Sequence, residues 1–397
     1  MQTQHPKKAL PQTPARSKYL PFGRPNYGRE EISAVTRVLK SGWVGMGSET
    51  IAFERELAVA TGARHVVTVD TCTSAIFLSL LVNGVEPGDE VICPSLTWCS
   101  TANAALYLRA RPVFCDIDPE TLSVSPKTVL PLVNKRTRAV IVVHFGGYAV
   151  DVAALRRALP ARVAIVEDAA HAFGSLYPKG GKVGSSGNLV CYSFYSNKNL
   201  ATAEGGAVAL HDETLANRLR SLRQHALPID AWKRFTHPKT VLLSNQLTEL
   251  GYKANYTDLQ ASIGRVQLKR QPVMAATRLA IAREYEKGLG RLPNAPSLQK
   301  GITDRKHARH LFTVQFPFDR MRLSRDELLV ALRARNIGAT IHYPALHTMP
   351  LYRGSRRAPL LPCTDRVAKS ILTLPISASM TPADAREVIR HLRDLAV

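Results

Sequence analysis

The sequence has no apolar run that approaches the roughly 18 residues needed by a membrane-spanning helix. Its opening stretch, MQTQHPKKALPQTPARSKYLPFG, carries charges but lacks the apolar core typical of a signal peptide. None of its 6 cysteines forms a CxxC pair, and most lie in apolar, strand-like segments. We therefore expect a cytoplasmic protein with reduced thiols, no membrane span and no metal site.

Acidic residues are also scarce, at 31 against 53 lysines and arginines, so the formal net charge is +22. Such an excess raises the question of nucleic acid binding, because phosphate backbones attract dense positive charge. The basic residues are nevertheless scattered in short runs such as RLRSLRQH and RGSRR, without aromatic platforms and without a zinc-finger or basic-zipper pattern. We expect no nucleic acid partner, and the charge would instead attract a small polyanionic substrate.

The 397 residues, 45% of them apolar, predict one large domain and a smaller one. Residues 1–20 lack periodicity and are predicted to be a disordered tail. Residues 21–270 alternate helical segments with short β-rich runs such as HVVTVD, DEVICPS and VAIVED, which predicts an α/β fold with a mostly parallel sheet flanked by helices. Residues 271–397 mix the strand HLFTVQF with helices, which indicates a smaller C-terminal α+β domain.

Two candidate ligand-binding segments follow predicted strands, where ligands of an open parallel sheet gather. Cys72 and Thr73 come after VVTVD at the start of a predicted helix, and the amides and dipole of a helix N-terminus favour phosphate. The hydroxyl of Thr73 or of Ser74 could instead merely cap this helix. Trp98 follows VICPS and could be a core residue or could cover an aromatic ligand.

Charged residues follow two further strands. Asp168 ends VAIVED, where a poorly solvated carboxylate needs a cationic partner, although a capping role is also compatible with this position. His171, three residues later, could be a binding residue or a surface histidine. Lys198 follows CYSFYSN, and an ammonium beside a buried strand is costly unless it is paired, snorkelling or used covalently.

A phosphate cradle, a flat aromatic ring, a carboxylate and a lysine on adjacent strand ends are the groups needed to hold pyridoxal phosphate. Lys198 would form a Schiff base with the aldehyde, and Asp168 would keep the pyridine nitrogen protonated so that the ring accepts electrons. Each motif is weak alone, but their order along the chain is much more specific. We therefore predict pyridoxal phosphate as the cofactor.

From about residue 20 onward, the sequence resembles the sugar aminotransferases of the DegT/DnrJ/EryC1/StrS family, a branch of the fold-type I pyridoxal phosphate enzymes. The resemblance is carried by stretches such as PGDEVICPSLTWCSTANA, VEDAAHAFGS, SFYSNKNLATAEGGAV and GYKANYTDLQASIG. PSLTW, EDAAHA, DAWKR and GYKANYTD are most similar to family enzymes that make UDP-4-amino-4-deoxy-L-arabinose. The resemblance implies transfer of an amino group from glutamate to a nucleotide-linked keto sugar, with amination at C4.

The resemblance also implies roles for individual residues. Lys198 would form the Schiff base and move the proton, Asp168 would pair with the pyridine nitrogen, and His171 would lie near the phenolic oxygen of the cofactor or the incoming substrate. Further cofactor contacts are implied for Cys72, Thr73, Trp98 and Ser193. A homodimer is implied as well, because the partner subunit of family members completes the phosphate site from a segment that here contains Lys253 and Asn255.

Two departures from the family pattern bear on the sugar. Tyr195 in SFYSNK stands where a histidine is usual, and Tyr148 lies in the unusual HFGGYAVD. We expect both on the substrate side of the site, together with His342 in IHYPALH as a candidate contact of the nucleotide diphosphate.

The sequence leaves three alternative functions to consider. The substrate could be a 3-keto sugar nucleotide or a cyclitol ketone. A sugar dehydratase of the same family is disfavoured because those relatives replace the Schiff-base lysine, commonly with histidine. A non-catalytic, pyridoxal phosphate-binding regulator would usually carry an added DNA-binding module, and the predicted tail is too short to be one.

Overall fold

The central feature of the fold is a seven-stranded sheet. The computed structural model describes residues 14–227, 232, 236, 247–304, 306–353 and 360–395. The strands of the large sheet are His65–Val69 (β1), Glu90–Pro94 (β2), Arg111–Cys115 (β3), Thr137–Val143 (β4), Ala164–Asp168 (β5), Leu189–Ser193 (β6) and Gly206–Leu210 (β7). Their order is β1-β7-β6-β5-β4-β2-β3, and only β7 runs antiparallel to its neighbours, β1 and β6. The prediction of a mostly parallel sheet in an α/β fold is confirmed.

Helices cover both faces of this sheet. They are Arg29–Ser41 (α1), Ser48–Thr61 (α2), Cys72–Val82 (α3), Cys99–Tyr107 (α4), Pro126–Val129 (α5), Val152–Ala158 (α6), Glu213–Leu222 (α7) and Asp258–Leu289 (α8). Successive strand side chains point to opposite faces, so Val66 packs in one apolar cluster and Val67 in the other. A sheet buried on both faces needs apolar residues throughout, which explains why its strands read as short apolar runs.

The C-terminal domain has a small antiparallel sheet of strands Ser297–Leu298 (β8), Phe312–Gln315 (β9) and Ile371–Leu374 (β10). Its helices are Arg325–Ala334 (α9), Pro350–Arg353 (α10), Pro362–Ser370 (α11) and Pro382–Leu395 (α12). In α12, Ala385, Val388, Ile389 and Leu392 recur at helical spacing and are buried in the core of this domain. The predicted smaller α+β domain is thereby confirmed.

The long helix α8 connects the two domains. Its 32 residues run without interruption through the predicted boundary at residues 270 and 271. Ala261 packs in the core of the large domain, whereas Ile281 and Tyr285 pack in that of the C-terminal domain. The boundary therefore lies inside a helix that contributes to both cores. None of the described helices, α8 included, combines the length and apolarity of a membrane span.

The predicted N-terminal tail is only partly described, since residues 1–13 lie outside the described residues. Arg16 forms a salt bridge of 2.8 Å with Asp384 of α12 and a second one with Glu387. Leu20 is buried in the C-terminal core, and its N–H donates to the carbonyl of Asn336 at 2.8 Å. The prediction of disorder is wrong for residues 16–20, because these contacts dock the segment on the C-terminal domain.

Candidate active site

A cavity of about 550 Å³ opens at the carboxyl ends of the parallel strands. This is the edge at which an open parallel sheet binds its ligands. Residues at or just after the strand ends line one side, and the C-terminal domain closes the other. The lining includes Thr71, Trp98, Val143, Asp168 and Ser193 from the large domain, and His310, His342 and Tyr343 from the C-terminal domain.

The start of α3 forms one wall of the cavity and is suited to phosphate. Thr71 caps the helix, because its hydroxyl accepts the N–H of Ser74 at 3.1 Å. The hydroxyl of Thr73 therefore does not cap the helix. The backbone amides of Cys72 and Thr73 lie in its first turn and have no carbonyl acceptor within it. Gly206 of β7 packs directly behind them, and a Cβ there would lie 2.6 Å from the amide nitrogen of Cys72.

Asp168, the last residue of β5, faces the cavity from a nearly buried position, with 5% of its surface exposed. It accepts a hydrogen bond from the Thr101 hydroxyl at 2.9 Å and one from the amide of Ala170 at 3.2 Å. Burial nevertheless raises the pKa of Asp168. A cationic ring nitrogen placed against this carboxylate would relieve the cost of its burial.

Glu167, the preceding residue, points to the opposite face of the sheet and is completely buried. Burial opposes its ionisation, yet the hydrogen bonds it accepts outweigh burial and lower the pKa of Glu167. Its donors are the side chains of His144 (2.8 Å), Tyr177 (2.7 Å), Ser186 (2.5 Å) and Asn188 (2.8 Å). Of two adjacent acids, the protein satisfies Glu167 fully and leaves Asp168 facing the cavity.

Lys198 lies in the turn after β6, where its N–H donates to the carbonyl of Tyr195 at 2.9 Å. Its Nζ is 3.5 Å from Nε2 of His310. Burial lowers the pKa of Lys198 to about 8, although the Asp168 carboxylate opposes this shift. Near pH 8 a large fraction of the side chain is therefore an uncharged amine, the form that attacks an aldehyde.

Trp98 is not a core residue, since 60% of its surface is exposed. It precedes α4, lines the cavity and lies 6.0 Å from Tyr343 between ring centroids. His171 is not a surface histidine either, because only 6% of it is exposed and its ring lies 4.6 Å from that of His310 between centroids, tilted by 31°. Both side chains are thus placed to contact a planar ligand.

Of the other predicted residues, some line the cavity and some lie outside it. Tyr195 and His342 line it. Tyr148 does not, because Gly146 and Gly147, both with positive φ, turn the chain after β4, and Tyr148 instead lines a separate cavity of about 320 Å³. Lys253 is exposed and, like Asn255, is absent from the lining of the cavity in the described chain.

Sequence reasoning missed His310 and Tyr343. Both come from the C-terminal domain, so they could not be found by looking at the carboxyl ends of the strands of the large sheet. His310 is 4% exposed and immediately precedes the apolar run LFTV, and Tyr343 directly follows His342. A polar residue abutting an apolar strand was the only sequence signal for His310.

Residues 25–393 match the DegT/DnrJ/EryC1/StrS aminotransferase family. The chain belongs to this family. TlmJ, an aminotransferase from Streptoalloteichus hindustanus, is 32% identical with a TM-score of 0.84, and the match covers 94% of this chain and 98% of TlmJ. DesV from S. venezuelae, solved with a ketimine intermediate, is 32% identical with a TM-score of 0.83, covering 95% and 98%. DesI, solved in the presence of its TDP-sugar product, is 29% identical with a TM-score of 0.84, covering 96% and 94%.

Family membership confirms the predictions of a sugar aminotransferase and of pyridoxal phosphate as its cofactor. The cavity fits this group in three respects. The amides at the start of α3 suit its phosphate, Asp168 suits its ring nitrogen, and Lys198 suits its aldehyde. The roles of the individual residues remain predictions.

Proposed function

We propose that this aminotransferase transfers the amino group of glutamate to C4 of a nucleotide-linked 4-keto sugar. The observation that supports amino transfer is the meeting of Lys198, Asp168 and the start of α3 in one cavity. A nucleotide-linked substrate is supported by the likeness to DesI, whose product is a TDP-sugar. The choice of C4 rests on His171 within EDAAHA, the form that resembles enzymes aminating that carbon.

Pyridoxal phosphate, when bound, supplies the electron sink that allows the α-C–H bond of an amino donor to break. The surrounding residues bind and orient it. The amides of Cys72 and Thr73, with Ser193, would hold the phosphate, and Trp98 would cover the ring. Asp168 would hold a proton on the ring nitrogen, because a buried carboxylate stabilises an adjacent cation.

Lys198 would take the proton from the α-carbon of the donor in the first half-reaction and deliver a proton to the sugar carbon that gains the amine in the second. With a pKa of about 8, the amine is uncharged in about a tenth of molecules at pH 7. An ordinary lysine would be uncharged in only about one molecule in 2,500 at that pH. Burial of Lys198 thus raises the population of the uncharged, basic form by about two orders of magnitude.

A homodimer with the active site at the subunit interface is supported by charge. The cofactor phosphate and the nucleotide diphosphate are anionic, and the described residues of one chain offer them few cations. Among the described residues that line the cavity, Lys198 is the only lysine or arginine. Burial lowers the pKa of His342 to about 3, so at neutral pH this ring can offer a hydrogen bond but no positive charge to a diphosphate. We propose that a second copy of the chain supplies Lys253 and Asn255. Lys253 is exposed, and Asn255 has a buried Oδ1 without a partner in the described part of the chain.

The substrate can be tested with the cofactor-loaded enzyme, glutamate and a panel of 4-keto and 3-keto sugar nucleotides. Mass spectrometry would detect the gain of an amine, and NMR would locate it on the sugar. We expect a 4-amino product, and Lys198→Ala run in parallel should give none. A 3-amino product, or activity only on a cyclitol ketone, would contradict the proposed substrate while leaving the family assignment intact.

The shared site can be tested by mixing two inactive variants, Lys198→Ala and Asn255→Ala. A mixed dimer contains one site with both native residues, so random pairing should restore about a quarter of the wild-type activity. No recovery from refolded mixtures that contain mixed dimers would place Asn255 outside the partner's site.

A further inference from the structure

Tyr343 of the C-terminal domain lies against His171 at the cavity wall. Its hydroxyl oxygen is 3.1 Å from Nε2 of His171, and the two rings are nearly parallel, with an interplanar angle of 15°. Tyr343 is 7% exposed and lines the same cavity as Lys198. Tyr343 thus contacts a buried imidazole through its hydroxyl and also lines the space available to a ligand.

The proton positions in this contact follow from the partner on the other side of the imidazole. Nδ1 of His171 accepts the backbone N–H of Gly146 at 3.3 Å, so Nδ1 carries no proton. Burial lowers the pKa of His171 well below its ordinary value, and the facing Lys198 and His342 act in the same direction. The ring is thus neutral, its proton is on Nε2, and Nε2 donates to the hydroxyl oxygen of Tyr343.

A phenol has one hydrogen to donate as well as lone pairs to accept. Because His171 donates to the oxygen, the hydroxyl hydrogen of Tyr343 is left for another acceptor. Within the described residues, His171 is the only hydrogen-bond partner of this hydroxyl. Burial raises the pKa of Tyr343, so the phenol keeps its proton.

We infer that Tyr343 donates its hydroxyl hydrogen bond to a ligand oxygen beside Lys198, and that Gly146 and His171 act as positioning residues that fix its direction. The acceptor is either an anionic oxygen, such as the phenolic oxygen of the cofactor, or a carbonyl oxygen, such as the keto oxygen of the sugar. This inference rests on the proposed function, because it requires such a ligand in the cavity.

Gly146, the first glycine in HFGGYAVD, supports this assignment. Gly146 has a φ of +65°, and a Cβ there would lie 2.7 Å from Oε1 of Gln299. Gln299 is itself fixed, since its amide donates to the carbonyl of Phe145 at 3.0 Å. A side chain at position 146 would thus be strained, and glycine allows the turn in which its amide reaches His171.

The test uses Tyr343→Phe, which removes only the hydroxyl, and Tyr352→Phe as a matched control. Tyr352 bonds to Asn103 at 2.7 Å and does not line the cavity. The absorbance of the bound cofactor is titrated with pH in each protein. If the acceptor is the phenolic oxygen, Tyr343→Phe should raise the apparent pKa of the chromophore by about one to two units, because a donor to that oxygen stabilises its anionic form.

If the acceptor belongs to the sugar, the titration should be unchanged. The glutamate half-reaction should then keep its rate, while the ketone half-reaction slows by about tenfold or more. Either result supports the inference and identifies the source of the oxygen. An unchanged titration together with two unchanged half-reactions would overturn it. Failure of the wild-type protein to bind the cofactor or to react with glutamate would instead contradict the proposed function.

The proton positions on His171, which set the direction of its hydrogen bond with Tyr343, can be measured separately. Nitrogen-15 spectra of histidine-labelled, cofactor-loaded enzyme should contain one ring with a bare Nδ1 and a protonated Nε2 that disappears in His171→Gln. A proton on Nδ1 of His171 would overturn the assignment of Tyr343 as the donor.

Discussion

Nζ of Lys198 lies 3.5 Å from Nε2 of His310, a ring held uncharged inside the cavity wall. Burial and the nearby Lys198 lower the pKa of His310 well below its ordinary value. His310 therefore adds no positive charge beside Lys198, and it is burial that makes the ammonium form of Lys198 unfavourable.

Replacing Lys198 with methionine should stabilise the cofactor-free protein near pH 7. The folded-state pKa is lowered from 10.5 to about 8, so the folded protein binds fewer protons than the unfolded chain between these values. Wild-type stability should rise with pH across that window, and the advantage of Lys198→Met, about 2–3 kcal/mol below pH 8, should shrink. Chemical denaturation at pH 7 and at pH 10 would check this, and an advantage independent of pH would contradict it.

Asp168→Asn should slow α-proton removal while leaving the shape of the site intact. Without the negative charge, the ring nitrogen loses its proton, and we expect a loss of roughly 10²-fold or more in the glutamate half-reaction, measured by stopped-flow absorbance. Cofactor affinity should fall much less. Asp116→Asn is the control, because Asp116 accepts bonds from Cys363 and Thr364 away from the cavity. Near-normal turnover by Asp168→Asn would mean that this acid is only structural.

The adjacent acid should behave in the opposite way. Glu167→Gln replaces an acceptor of four hydrogen bonds by an amide, and we expect a loss of about 2–4 kcal/mol in the free energy of unfolding. Because the folded pKa of Glu167 is lowered, this stabilisation is present above the unfolded pKa and is lost as pH falls through the folded pKa. Denaturation at pH 7 and in acid would measure it.

The control for that series is Glu120→Gln, which removes an exposed ion pair of 3.1 Å with Lys300. It should change stability by less than about 1 kcal/mol. If Glu167→Gln were equally mild at pH 7, the buried network would not be a stabilising feature of the fold.

Trp98→Leu should weaken cofactor binding by about 3- to 10-fold, because the loss of ring stacking removes a contact made only with the ligand. Stability of the cofactor-free protein should hardly change, since Trp98 is 60% exposed. Tyr107→Leu, at the other end of α4 and also 60% exposed, is the matched control and should bind normally. Equal effects of the two substitutions in an absorbance titration would contradict a stacking role for Trp98.

Much of the large domain could be predicted because its strands can be recognised from short stretches of neighbouring residues. A strand buried on both faces is a short apolar run, and the polar residue that ends it stands out, as Asp168 does after VAIV. The insertion of β7 between β1 and β6 could not be predicted in this way, because strand pairing depends on contacts distant in sequence.

The other half of the site was less accessible to sequence reasoning. His310 lies 112 positions after Lys198 and reaches it only because the C-terminal domain docks across the strand ends. Tyr148 was expected on the substrate side, but the left-handed backbone of Gly146 and Gly147 redirects the chain. Sequence patterns predict which residues end a strand, whereas a turn and a domain contact decide which of them meet.

Attachment of the cofactor to Lys198 can be tested by reducing the cofactor-loaded enzyme with borohydride and locating the adduct by peptide mass spectrometry. We expect a pyridoxyl phosphate group on Lys198, its absence from Lys198→Ala that remains folded, and its loss when glutamate is added before the reductant. An adduct on another lysine, or one that persists in Lys198→Ala, would show that Lys198 is not the residue that binds the aldehyde.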